Sequence, residues 1–232
     1  MTNLRPAAAR GHADHGWLKT WHSFSFADYY DPAEMGWGPL RVINDDFIAP
    51  AQGFGRHGHR DMEILTYMLS GELSHGDSMK DAAVIRRPEV QRMSAGSGVM
   101  HSEFNASASA TAHLLQIWIE PDVRGIAPEY EQKAFPDEAK RGKLLAIATP
   151  DGRADSLAIH QDASVYATLL AAGESVTHNL APGRRAYVHV AVGNVAVNGL
   201  PLATGDGAKI ADESGLTLAA AGDAEVLLFD LP

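Results

Sequence analysis

The 232-residue chain carries 19 Lys and Arg against 29 Asp and Glu, a formal charge of −10 at pH 7 with histidine neutral, and contains no cysteine. That length buries the core of one large or two small domains without staples. The missing cysteines exclude disulfides, thiolate zinc sites, iron–sulfur clusters and cysteine nucleophiles, so any metal must be held by nitrogen and oxygen, and the acidic balance disfavours nucleic-acid backbones.

The N-terminal residues 1–16 include basic side chains with no apolar run behind them, so no secretory signal is read there. No apolar stretch approaches the ~20 residues that cross a bilayer. A cytoplasmic protein is expected, with Arg86-Arg87 and Arg184-Arg185 as isolated solvated doublets. His12 and His15, in a polar glycine-bearing segment, are expected at the surface. Trp17, Trp21, Phe24, Phe26, Tyr29, Tyr30 and Trp37 form a dense aromatic cluster, mostly for packing, with one or two available to line a pocket for a flat substrate.

Strand signals dominate from there on. Residues 40–43, 64–69, 113–119, 166–170, 186–192, 195–197 and 225–229 are short, apolar or alternating, and punctuated by Gly, Pro, Asn and Asp. Turn signals every ~8–12 residues predict an all-β sandwich or barrel. The best helical candidate, residues 129–141, is charged and interrupted by Pro136, which limits it to a turn or two.

A faint repeat divides the chain. Residues 113–121 and 225–232 look like equivalent closing strands, ending at Pro121 and Pro232. Gly53 to His57 has a counterpart in Gly173 to His178, and the turn pairs Ser70-Gly71 and Gly193-Asn194 follow at comparable distances. Two tandem barrels are predicted, residues 1–130 and 131–232. In the second copy Asn179-Leu180 follows His178, and Gly205-Asp206-Gly207 leads to no histidine, so chemistry is expected in the first.

The first copy holds metal-ligand spacing. His57-Gly58-His59 precedes a strand that begins near Glu63, and His101-Ser102-Glu103 follows about forty residues later. Alternation along a strand sends His57 and His59 to one face, and likewise His101 and Glu103. Glu63 shares the parity of the first pair, so spacing leaves two carboxylates open. Imidazoles with one carboxylate suit Fe, Mn, Co, Ni, Cu or Zn, whereas Ca and Mg prefer oxygen. Four protein ligands leave a position open on a five- or six-coordinate metal, as a catalytic site requires. His113, His160, His178 and His189 are expected to be structural.

These residues also carry a family resemblance. Gly53…His57-x-His59-x3-Glu63…Gly71 and Gly98-x2-His101-x3-Asn105 resemble the two cupin motifs. Trp21-His22-Ser23-Phe24-Ser25-Phe26, Glu63-Ile64-Leu65-Thr66-Tyr67, His75-Gly76-Asp77-Ser78 and Met93 to Glu103 resemble the pirin family, in particular its bacterial branch that includes quercetin 2,3-dioxygenases. Gly58 departs from the usual proline between the histidines, which is expected to loosen the ligand loop, and Met79-Lys80-Asp81 replaces a Gly-Asn turn.

The resemblance implies an all-β bicupin with short helical connections and one divalent transition metal, iron first, at His57, His59, His101 and Glu103. It implies His22 and His75 near the pocket, which Phe26 is also expected to line; Glu63, where it is not a ligand, is expected to orient a histidine ring, a role metal sites commonly need. The implied activity is O2-dependent ring cleavage of a flavonol such as quercetin with release of CO, Glu103 serving as general base. The implied partners are a small aromatic substrate and O2, with neither nucleic acid nor membrane, and the chain acts as a monomer. The alternatives are a non-enzymatic metal- or redox-sensing pirin that binds a protein partner, and another cupin activity on a different small molecule.

Overall fold

Short runs of apolar and β-branched residues broken by glycine fold as strands almost throughout the computed structural model, which describes residues 2–77 and 83–232. The Met79-Lys80-Asp81 departure lies outside the described residues. In chain order the strands are β1 Thr2–Arg5, β2 Gly11–Asp14, β3 Leu18–His22, β4 Leu40–Ile48, β5 Gly53–His59, β6 Glu63–Ser70, β7 Glu72–Asp77, β8 Ala83–Arg86, β9 Glu89–Ser94, β10 Val99–Asn105, β11 Ala112–Ile119 and β12 Glu129–Ala134. After the one-turn helix α1, Asp137–Lys140, come β13 Leu145–Thr149, β14 Leu157–Ala158, β15 Ser164–Leu170, β16 Ser175–Asn179, β17 Arg185–Val192, β18 Asn194–Val197, β19 Leu200–Ala203, β20 Gly207–Ile210, β21 Gly215–Ala220 and β22 Ala224–Leu231.

The sequence repeat is a topological repeat. A four-stranded sheet ordered β5-β10-β7-β8 recurs as β16-β21-β18-β19, and the run β9-β6-β11-β4 of one seven-stranded sheet recurs as β20-β17-β22-β15 of the other. The chain is a tandem pair of cupin-type barrels, as the sequence predicts. Gly71 and Gly193 mark the same hairpin in each copy, with φ of +75° and +89°. A Cβ at either would meet backbone of the closing strand, 2.8 Å from Ala112 and 2.0 Å from the Asp223 carbonyl oxygen, so only glycine fits. The halves also exchange edge strands: β1 pairs with β20, while β12 pairs with β9, which places residue 130 inside a strand of the first large sheet. Among the described residues no helix is long and apolar enough to cross a membrane.

The segment read as helical is corrected. Residues 129–134 form β12, in register with β9, and only Asp137–Lys140, entered from Pro136, turns helically. Its charged side chains belong to an edge strand, where period-2 exposure suits them as well as a helix surface would.

The large sheets pack outer face to outer face. Ile43, Leu65, Leu115 and Ile117 of the first half join Val165, Ala167, Leu227 and Phe229 of the second in one buried cluster. Such strands are covered on both faces, which is why β6 is buried from Glu63 to Leu69 and β22 along its whole length. A polar seam crosses this interface: the Tyr67 hydroxyl donates to Glu225 Oε1 (2.5 Å), Lys140 Nζ donates to the Tyr67 hydroxyl (3.1 Å), and Arg87 donates to Glu225 (2.8 Å). Lys140 is 1 % exposed and pairs with Asp137 at 3.0 Å, so the single turn of α1 exists to place both partners.

His189, on β17, lies on the same face and is fully buried; among the described residues neither ring nitrogen meets a hydrogen-bond partner. Burial pushes its pKa from the ordinary 6.5 down to about 4. Above pH 6.5 this shift has no effect; between 6.5 and 4 the unfolded chain takes a proton that the folded chain refuses, so stability falls as pH falls. His189→Leu is expected to remove about 1–2 kcal/mol of the wild-type stability loss between pH 7 and pH 5 in urea unfolding. An unchanged pH dependence in the variant would refute the assignment.

Candidate metal centre

Strand β10 is the axis of the site because it is hydrogen-bonded on both sides. Its His101 stands opposite His57 of β5 and opposite Asp77 of β7, and its Glu103 stands opposite His75 of β7. A register shift between His101 and Glu103 on the β5 side breaks the simple alternation there. The Nε2 atoms of His57 and His101 are 2.9 Å apart. Ligand atoms of His57, His59 and His101 lie within 4.8 Å of one another, and so do those of His75, His101 and Glu103. The site is thus two overlapping triads that share His101, with Glu103 reached through the second.

The protonation states suit a metal. The Nδ1 of His57 faces the Gly55 carbonyl at 2.8 Å, so Nδ1–H donates and Nε2 is left with its lone pair. Burial lowers the pKa of both His59 and His101 to about 4, which keeps them neutral. Burial opposes ionisation of Glu103, but His75, His101 and Gln116 outweigh it and hold the carboxyl below its usual range. Gln116 Nε2 reaches both Glu103 oxygens at 3.3 and 3.2 Å, and the Thr66 hydroxyl donates to Gln116 Oε1 at 3.0 Å, which fixes that amide's orientation. His75 donates through Nε2 to Asp77 (3.0 Å) and meets the Gln91 amide at Nδ1 (3.0 Å). This donor set fits a divalent transition metal: neutral imidazoles beside an ionised carboxylate, with two nitrogens at the separation of adjacent ligands each ~2.1 Å from one ion.

The other sequence candidates separate. His22 and Phe26 line the same cavity as His57, His59 and Glu103. His22 is held by Asn44 Oδ1 at 2.7 Å, and Phe26 stands edge-on to Trp118. His75 backs the site without lining the cavity. Glu63 is elsewhere: it accepts from the Ser94 hydroxyl at 2.8 Å and from the His160 backbone, on the β6 face turned to the second half. Parity fails for it because a turn with Asp61 at φ +47° intervenes between β5 and β6. Gly58 lies within β5 opposite Met100, so the ligand segment is a paired strand instead of the loosened loop expected. His178 is taken up by Asp230 at 2.7 Å, and His113 by Asp45 at 2.7 Å.

The cavity has a volume of about 670 Å³, within the usual range for small-molecule sites. Asn44, Asp46, Gln116 and Trp118 line it and are absent from the sequence candidates. A signal was there: Asn44, Asp46 and Gln116 each place a polar group inside an apolar strand, which burial penalises unless a partner or ligand is present. His12 and His15, read as surface, are exposed residues at the rim.

Comparison with known proteins places the chain in a family. The Pirin family model matches residues 3–119, and the model for the quercetinase C-terminal cupin domain matches residues 146–231. The chain belongs to the pirin family. It is 51 % identical to quercetin 2,3-dioxygenase of Escherichia coli (strain K12), over 100 % of this chain and 99 % of that protein. It is 46 % identical to a pirin-like protein of Caulobacter vibrioides, over 99 % of each. The crystal structure of the bacterial pirin YhhW of Escherichia coli in complex with nickel(II) superposes with a TM-score of 0.96 at 49 % identity, covering 100 % of this chain and 99 % of that one.

His101 is the member common to both triads, so His101→Ala is expected to abolish stoichiometric metal binding. His178→Ala, on β16, the second-barrel counterpart of the ligand strand β5, is expected to leave metal content at the wild-type level. Elemental analysis of the two purified variants after nickel loading is the check, and equal loss in both would place the metal elsewhere.

Proposed function

We propose that this pirin is a metal-dependent dioxygenase that opens the ring of a flavonol such as quercetin, taking a small aromatic substrate and O2 and releasing CO. The observation that carries the reading is a single cavity lined together by His57, His59 and Glu103 and by the aromatic rings of Trp17, Phe26, Phe54 and Trp118. Donor atoms and flat aromatic walls in one space suit a planar substrate that presents an oxygen. The name carried by a relative 51 % identical over the whole chain supports it. The active barrel is residues 1–130, with residues 131–232 as its support, and the chain acts in the cytoplasm as a monomer.

His57, His59, His101 and Glu103 would hold the metal, with iron first and Mn, Ni, Co, Cu or Zn also suiting the donors. When bound, the metal supplies Lewis acidity and the route to O2. The chain's own residues do the rest. The aromatic walls hold the ring system flat and keep bulk water from its faces. Glu103, 3 % exposed, presents a carboxylate oxygen to accept the flavonol 3-hydroxyl proton. A carboxyl held below its usual range is a poor base in bulk water, so its value lies in position, which Gln116 fixes through both oxygens.

Glu103→Gln keeps an oxygen but not the charge. Turnover per bound metal is expected to fall ~10²–10⁴-fold while metal content falls far less. Both are measured on one preparation after reconstitution with Fe, Mn, Ni, Co or Cu, by metal analysis and aerobic quercetin consumption. Near-wild-type turnover per metal in the variant would place the base elsewhere, and an inert wild type with every metal would favour a non-enzymatic, protein-binding pirin.

A further inference from the structure

Asp46 lines the cavity, is 4 % exposed, and has no part in the proposed reaction. Its neighbour Asp45 points to the other face of β4 and is tied to Arg10 at 3.1 Å and to His113 at 2.7 Å. Among the described residues no basic side chain pairs with Asp46. The Thr20 hydroxyl beside it favours the charged form, but burial, followed by the negative charges of Asp45 and Glu103, pushes its carboxyl up to about 7. A carboxyl buried against a cavity without a cation is costly, and such groups are retained chiefly where a ligand completes them.

Strand register fixes where that ligand group must be. Asn44 of β4 stands opposite Gln116 of β11, whose amide holds Glu103. Asp46 is the next residue on the same face, roughly 7 Å farther along, opposite Thr20 of β3 and Leu114 of β11. One rung beyond it Leu18, Ile48 and Ala112 close the barrel with an apolar plug. A flat molecule with one oxygen at the Glu103 rung therefore meets a second polar group about one aryl ring away, at the last polar rung before the plug.

We propose that Asp46 accepts a hydrogen bond from a hydroxyl on the substrate ring remote from the metal ligands and so selects polyhydroxylated over plain aryl substrates. This rests on the flavonol reading of the same cavity. Asp46 is a specificity residue: a site built to pair with a hydroxyl discriminates against the analogue that lacks it, because its buried acceptor is then left unpaired.

The test is anaerobic titration of the nickel-loaded protein with quercetin, kaempferol and galangin, which differ only in carrying two, one and no B-ring hydroxyls. Quenching of tryptophan fluorescence reads binding without turnover. Wild type is expected to prefer quercetin to galangin by about tenfold or more. Asp46→Ala should shrink that ratio to within about twofold without weakening galangin, and Asp46→Asn, which keeps shape and a hydrogen-bonding oxygen, should retain part of it. Thermal melts of both variants identify any that fail to fold, and Asp46→Asn then carries the test. An unchanged ratio in the folded variants overturns the proposal. So does equal weakening of all three flavonols, which marks a structural role, or lost turnover at an unchanged ratio, which marks a proton acceptor. Wild type that binds none of the three overturns the flavonol reading itself.

Discussion

The packing of the two large sheets, outer face to outer face, is the constraint on which the rest depends. A barrel whose stability came from its own interior would have to fill that interior with apolar side chains. Here Leu65, Leu115, Ile117 and Ile43 find their burial against the second half, on the faces turned away from the first barrel's lumen. The opposite faces of the same strands are thereby released to carry Thr66, Gln116, Asn44 and Asp46. The polar lumen and the metal-ligand cluster are a consequence of that division of labour. It also explains why a polar seam of Tyr67, Lys140, Glu225 and Arg87 is tolerated at the interface: each member is satisfied by the others, and the seam fixes one register between two otherwise smooth apolar faces.

The second barrel shows the same topology with the opposite filling. Val188 and Val190 of β17, Leu216 and Leu218 of β21, and Val226 and Leu228 of β22 meet in a single apolar cluster. Aligning the closing strands from their first residues sets Leu228 where the first barrel has Gln116. The loss of histidines after His178 is therefore one symptom of a lumen that has become a core. His178 itself is held by Asp230 beside Arg184, so it has no free role to recover. A barrel plugged in this way makes a rigid partner for the sheet that carries the site, and the exchange of β1 and β12 between halves ties the two at their edges.

The fold was legible in the sequence because its signals are local. Strand runs, glycine turns and the paired closing segments each depend on a few neighbouring residues, and the turn glycines Gly71 and Gly193 repeat for a steric reason that both copies share. The His-x-His and His-x-Glu pairs were legible for the same reason, since alternation within one strand is a local rule. Parity stopped working wherever the chain left a strand. Glu63 kept the arithmetic of His57 and His59, but the turn at Asp61 rotated it to the opposite layer. The charged segment 129–141 carries a helical signal although 129–134 is strand, because an edge strand and a helix surface show similar composition, and only pairing with β9 separates them.

What the sequence could not show is which positions on different strands share a rung. Gln116 and Asn44 are separated by about seventy residues, and nothing near either announces the other. Register brings them level with each other, beside the Glu103 that Gln116 holds, and leaves Asp46 one rung beyond. The four side chains that hold, back or extend the metal-facing wall thus come from three strands: ladder pairing aligns those of β4 and β11, and the Gln116 amide joins them to Glu103 of β10 on the other sheet. A slip of one residue between β4 and β11 would turn Asn44 and Asp46 out of the lumen and bring Ile43 and Asp45 in. The Ile43 contact across the interface forbids that slip, because it would strip an apolar side chain from the inter-barrel core. The hydrophobic seal between the halves and the chemistry of the cavity are in this sense a single constraint, expressed on opposite faces of the same strands.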